Sequence, residues 1–176
     1  MKNFFYTIFV SILLCFVSLN TYSQSNYVSL SYGGELLVAK DWHCNNQTLN
    51  LQFGHFYNAQ NAVEFDYSHG FKKDFVTMNR LGLNWLHEFN SSYYIVPYFK
   101  CGAAFKMYDI EIDNVEDIKG MDFKLGVGLH CYLLDDRASI NLGVDLSNMA
   151  YHYDDELRWY WDETRLIPHI GISVYF

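Results

Sequence analysis

Along most of this chain, bulky apolar residues alternate with polar residues or glycine in eight runs of about ten positions. The runs predict strands at 27–37, 48–58, 62–71, 77–89, 93–107, 121–133, 138–150 and 164–176, the last ending on Phe176. A period of two puts successive side chains on opposite faces of a sheet, so each strand has one apolar and one polar face. The connections alternate as well. Asn58–Asn61, Asn90–Ser92 and Leu134–Arg137 read as tight turns rich in Asn, Asp and Ser, whereas 38–47, 72–76, 108–120 and 151–163 read as longer loops, mostly more charged.

Alternation alone does not say which face points inward, because a soluble eight-stranded barrel carries its apolar face inside. Glycine separates the two cases. The apolar phase is Leu49, Leu51 and Phe53 in the second run and Ile170, Ile172, Val174 and Phe176 in the last, while Gly33, Gly54, Gly70, Gly82, Gly102, Gly126, Gly128, Gly143 and Gly171 fall on the polar phase. Side chains crowd on the concave side of a narrow barrel, so the face that collects glycine is the inside. The apolar face then meets lipid. Short turns at one end, longer loops at the other and strands of this length predict an all-β fold: an eight-stranded antiparallel up-and-down transmembrane β-barrel.

The inward phase also carries charge. Glu35, Asp66, Arg80, Lys100, Lys124 and Asp145 come out at similar mid-barrel heights, and Lys106 and Asp122 lie nearer the loop end. Neighbouring strands would pair Asp66 with Arg80, Lys124 with Asp145, and Lys106 with Asp122, since an unpaired charge in a filled lumen costs several kcal/mol. The expected result is a salt-bridged plug rather than an ion path. His130 and His169 share this phase; no cluster with ligand spacing accompanies them, so they read as hydrogen-bonded lumen residues, and no metal or cofactor is implied. Aromatics gather at both strand ends: Phe56, Tyr57, Phe89, Tyr93, Tyr94, Tyr175 and Phe176 at the turn end, and Phe71, Phe75, Tyr108, Tyr151, Tyr153, Trp159 and Trp161 at the loop end. They read as two interfacial girdles. Pro97, on the outer phase, reads as a bulge.

The N-terminus carries Lys2, an apolar run from Phe4 to Val17, and small residues at Thr21 and Ser23, the −3 and −1 positions of a cleavage site. Residues 1–23 are therefore expected to be a cleaved signal peptide and 24–176 a single barrel domain. Cys15 falls in the discarded segment, and the three remaining cysteines, Cys44, Cys101 and Cys131, imply no disulfide framework. The net charge of −8 becomes more negative once Lys2 is lost, and no basic patch argues for nucleic acid.

The run Tyr94-Ile95-Val96-Pro97-Tyr98-Phe99-Lys100-Cys101-Gly102-Ala103-Ala104-Phe105, the closing Ile170-Gly171-Ile172-Ser173-Val174-Tyr175-Phe176 and the strand and loop lengths resemble the small outer-membrane β-barrel family of the OmpA/OmpX type. The resemblance implies insertion by the outer-membrane assembly machinery, which reads an alternating last strand with a terminal aromatic, here Ile170, Ile172, Val174 and Phe176. It also implies a Gram-negative outer membrane, with its lipid and lipopolysaccharide as partners. Two classes of function follow: a non-enzymatic, monomeric surface and envelope barrel, which is the expected one, or a lipid-modifying enzyme or narrow pore. A deacylase needs a His and a Ser together on the lipid-facing side. The nearest candidate, Ser68-His69, points its two side chains apart. Loop acids Asp109, Glu111, Asp113, Glu116, Asp117, Asp154, Asp155, Glu156, Asp162 and Glu163 do not follow the spacing of a calcium loop and read as solvated acidity.

Overall fold

β-Branched and aromatic residues on one face of each run favour extended chain, and pairing of every run with its neighbours leaves no free edge. The computed structural model describes residues 26–37, 44–73, 76–89, 94–111, 117–133, 137–153, 156–159 and 164–176. Its strands are β1 (Asn26–Leu37), β2 (Cys44–Phe56), β3 (Asn61–Lys73), β4 (Val76–Glu88), β5 (Ile95–Ile110), β6 (Ile118–Leu133), β7 (Ala138–Tyr153), β8 (Glu156–Trp159) and β9 (Arg165–Tyr175). Consecutive strands pair antiparallel from β1 to β7, β7 pairs with β9, and β9 returns to β1. These eight close the barrel. Short β8 extends one wall by pairing with Ala150–Tyr153 at the far end of β7.

The glycine argument holds for both faces. Leu83, Val127 and Ile172 are about 60% exposed on the outside, whereas Glu35 and Asp122 are fully buried inside. At Gly54 the crowding is direct: the ring of Tyr27, the residue opposite on β1, lies where a Cβ would sit. Tyr98 likewise lies over Gly128 and Gly143, which face each other across β6 and β7.

Three expectations change. The strands run further at the loop end than the apolar pattern does, so that β5 and β6 stay paired to Tyr108 and Ile118, and the expected loop 108–120 shrinks to 111–117. The cause is that backbone pairing does not need an apolar face once strands pass beyond the apolar belt. At the turn end, β2 stops at Phe56, and Asn58 organises the turn: its Oδ1 accepts the backbone N–H groups of Gln60 at 3.0 Å and Asn61 at 2.8 Å. Second, Phe56, Tyr108 and Tyr175 are not girdle residues. They lie on the glycine phase and pack inside, Phe56 and Tyr175 against Tyr27, and Tyr108 against Met78. Tyr57, Phe89 and Phe176 at one end and Phe71 at the other do face outward, whereas Tyr94 is exposed at the rim opposite Tyr132, on the inner phase. Tyr93, Phe75 and Trp161 lie outside the described residues, as do the side chains of Tyr151, Tyr153 and Trp159 and the whole of 1–25.

Third, Pro97 makes no bulge: the β5–β6 register passes through Pro97 and Leu129 without a shift. Its carbonyl accepts from Phe89 N at 2.9 Å, so its missing N–H falls on the β4 side, where that ladder ends. Pro168 is the disruptive one. Asn26 and Phe176 exchange both backbone hydrogen bonds, which makes Gly34 and Pro168 a mutual pair farther along the same register. Proline cannot donate, and the β1–β9 pairing is interrupted at 34–35 and 167–168. On its other side β1 shifts register between Glu35 and Leu36.

Candidate functional site

Every inward polar residue in the middle of this barrel must find a partner across the lumen, and the strands supply them in layers. In the central layer Arg80 (β4) donates to Asp66 (β3) through Nη1 at 2.9 Å, and its Nε lies 2.7 Å from Asp122 Oδ2 (β6), an ionic contact off the hydrogen-bonding axis. Asp66 also accepts from Asn84 Nδ2 at 2.9 Å, and Asp122 accepts from Ser147 Oγ at 2.5 Å. Lys124 stands between two carboxylates, 3.5 Å from Asp66 and 3.5 Å from Asp145, while Lys100 reaches Asp145 at 3.6 Å. Three cations therefore face three carboxylates, and the layer is neutral.

Toward the loop end, Lys106 donates to Glu35 at 2.6 Å; Arg165 lies 3.7 Å from the same carboxylate, and Tyr108 donates to it at 3.3 Å. The Tyr108 ring packs beneath both cations, 5.0 Å from Lys106 Nζ and 5.4 Å from Arg165 Cζ. At the turn end, Tyr27 donates to Glu64 at 2.5 Å. Glu88 there holds His130 Nδ1 at 2.5 Å and the Tyr132 hydroxyl at 2.7 Å. His169 approaches Tyr98 through Nε2 at 3.2 Å and lies 3.9 Å from Asp145. Between these layers a cavity of about 10 Å³, lined in part by Thr48, Ser68, Arg80 and Lys124, has room for a single water. Thr48 Oγ1 and Arg80 Nη2 carry no hydrogen bond from the protein.

Of the pairs expected from sequence, Asp66 with Arg80 and Lys124 with Asp145 are brought together. Lys106 with Asp122 is not: Lys106 turns to Glu35 and Asp122 to Arg80. Neighbouring strands were the wrong frame for this pair, because in so narrow a lumen a lysine on β5 reaches a glutamate on β1 across the interior. Glu64, Glu88 and Arg165 went unremarked in the sequence. The signal for the two acids was present, since Glu64 is two residues from Asp66 and Glu88 is in phase with Arg80. Ser68 points inward and His69 outward, so they form no nucleophile–base couple. Among the described residues no three His, Cys, Asp or Glu side chains converge on a metal position. Cys101 and Cys131 are free thiols on the outer face. The side chain of Cys44 and the acids Asp113, Glu116, Asp154, Asp155, Glu156, Asp162 and Glu163 lie outside the described side chains.

A closed eight-stranded barrel with an apolar outer wall and an ionic interior is an inverted protein, with its core on the outside. The fold is that of the small outer-membrane β-barrels. Neisserial surface protein A superposes with a TM-score of 0.69 at 10% identity, covering 86% of this chain and 97% of that one. The N-terminal β-barrel domain of Pseudomonas aeruginosa OprF gives 0.60 at 18% identity, covering 86% and 98%. Ail, the attachment invasion locus protein of Yersinia pestis, gives 0.57 at 13%, covering 86% and 95%. No family model and no curated protein sequence matches the chain. At such identities the likeness among these barrels is one of architecture, and side-chain roles have to be argued from this chain alone.

Proposed function

We propose that this protein is exported through a cleaved signal peptide at residues 1–23 to the outer membrane of a Gram-negative bacterium, where it serves as a monomeric, non-enzymatic barrel that stiffens the envelope and makes contacts at the cell surface. The observation that carries this reading is the neutral ionic layer of Arg80, Lys100 and Lys124 against Asp66, Asp122 and Asp145. Such a layer fills the lumen and is reachable only in a barrel whose apolar wall faces lipid. Ile170, Ile172, Val174 and Phe176, all outward and exposed on the closing strand, are the residues offered to the assembly machinery. Outer-membrane lipid and lipopolysaccharide are the surrounding partners, with acidic residues such as Asp109, Glu111 and Asp117 near the loop end.

The test is fractionation with electrophoresis. The mature chain should begin at Gln24, float with outer-membrane fractions, and migrate differently before and after boiling. Recovery with the cytoplasm, or a helix-dominated circular dichroism spectrum in detergent, would sink the proposal.

A further inference from the structure

The outer wall is apolar along most of its described height, and toward the loop end a polar patch spans three adjacent strands. On β3, Tyr67, His69 and Phe71 share the outward phase; Asn79 on β4 and Asp109 on β5 stand beside them. Tyr67 donates its hydroxyl to Asn79 Oδ1 at 3.0 Å, His69 Nδ1 meets the same oxygen at 3.0 Å, and Asn79 Nδ2 donates to Asp109 Oδ2 at 3.2 Å. The protons in this chain are determined. A carboxylate only accepts, so the Asn79 amide nitrogen must face Asp109 and its oxygen must face Tyr67 and His69. His69 is therefore the donor at Nδ1, and in the neutral imidazole its Nε2 carries a lone pair. Two other outward histidines among the described side chains, His55 and His87, pair with Asn26 and Asn61 without a carboxylate to settle the direction.

The patch thus offers hydrogen-bond acceptors, His69 Nε2 and the second oxygen of Asp109; among the described side chains, the outward cation on the next strand, Lys119, is paired with Asp117 at 3.8 Å. The patch is flanked by two aromatic faces, Tyr67 at 40% and Phe71 at 44% exposure, with Phe71 set edge-on to His69 at 5.7 Å. Acceptors that bind hydroxyls, beside exposed rings that cover the apolar C–H face of a sugar, form a carbohydrate site rather than a phosphate site. Height selects the source. His69 is eight residues up β3 from Asn61, which at a rise of about 3.3 Å and a tilt near 40° places it roughly 20 Å above the turns, against an apolar band of about 25 Å. That is the level at which acyl chains give way to headgroups in the outer leaflet.

We infer that Tyr67, His69, Phe71, Asn79 and Asp109 form a docking site for the hydroxyl- and amide-bearing sugar of an outer-leaflet glycolipid, recognised without its phosphates. The inference rests on the outer-membrane placement proposed above. The test is native mass spectrometry of the full mature barrel in detergent. It is offered a bisphosphorylated N-acyl-glucosamine disaccharide lipid, the same lipid with its phosphates removed, the free disaccharide without acyl chains, and dioleoylphosphatidylcholine, which has no headgroup donor. Both glycolipids should be retained to within about twofold of each other and well above the choline lipid. His69→Phe and Asn79→Leu should each weaken both by about tenfold, close to 1.4 kcal/mol. Phe71→Ser, which leaves the hydrogen-bonded chain intact, should weaken them too, and Leu142→Ala on another wall should not.

Loss of binding with the phosphates would overturn the site, as would unchanged retention in the three patch variants. Equal affinity for the free disaccharide would overturn the membrane source. Boiling-dependent mobility of the same samples separates these results from failure of the barrel itself, because a variant that has not folded shows no mobility shift.

Discussion

Arg80 is the residue on which the interior depends most. It is almost wholly buried and is the ionic partner of both Asp66 and Asp122. Lys124 is more replaceable, because Asp145 keeps Lys100 and Asp66 keeps Arg80 when it is removed. Arg80→Met should lower unfolding stability by about 3–5 kcal/mol, since a buried carboxylate loses its cation. Lys124→Met should cost clearly less. Urea titration followed by gel mobility measures both, and a larger loss at Lys124 would mean that the ionic layer is arranged differently. The sequence could assign these residues to the lumen because each lies on the glycine phase. It could not rank them, since rank depends on how many opposite charges each one reaches.

Among the strands, β9 carries both the residues proposed for recognition during assembly and a break in its ladder with β1. Pro168 leaves the Gly34 carbonyl without its ladder donor, and an unmade backbone bond is expensive in a wall that faces lipid. Pro168→Val restores an N–H at a position already extended, so it should raise stability by about 1 kcal/mol, the worth of one net hydrogen bond. A lower urea midpoint in that variant would show that the proline relieves strain between β1 and β9 instead. At the far end of the strand, Phe176 is outward and exchanges backbone hydrogen bonds with Asn26, closing the barrel. Deleting it should reduce the amount of protein inserted in the outer membrane. Quantitative immunoblotting of membrane fractions reads this, and normal levels would remove the last residue from the recognition step.

The whole molecule behaves as a closed unit because three ionic and polar layers bridge walls that are not neighbours. Glu35 on β1 meets Lys106 on β5, Tyr27 on β1 meets Glu64 on β3, and Asn141 on β7 donates to Ser29 on β1 at 3.0 Å. An interior cross-linked in this way, with a cavity of about 10 Å³ beside Arg80 and Lys124, should conduct rarely and weakly in planar bilayers. Stable single-channel openings in the unmutated protein would favour a narrow pore. Raised conductance confined to Arg80→Met would instead place the constriction at the central layer.

Strands, faces and most lumen residues were legible in the sequence because each follows from a local rule. Period two names the two faces, and Gly54, Gly128 and Gly143, each lying under a tyrosine ring, identify the inner one. The partners of Lys106 and Asp122, the inward aromatics Phe56, Tyr108 and Tyr175, and the break at Pro168 were decided only by the closed structure. Alternation is a property of one strand, whereas a lumen contact depends on which walls the closure and stagger of eight strands bring face to face. The chain alone could say that Lys106 points inward. Only the barrel's curvature set Glu35 opposite it.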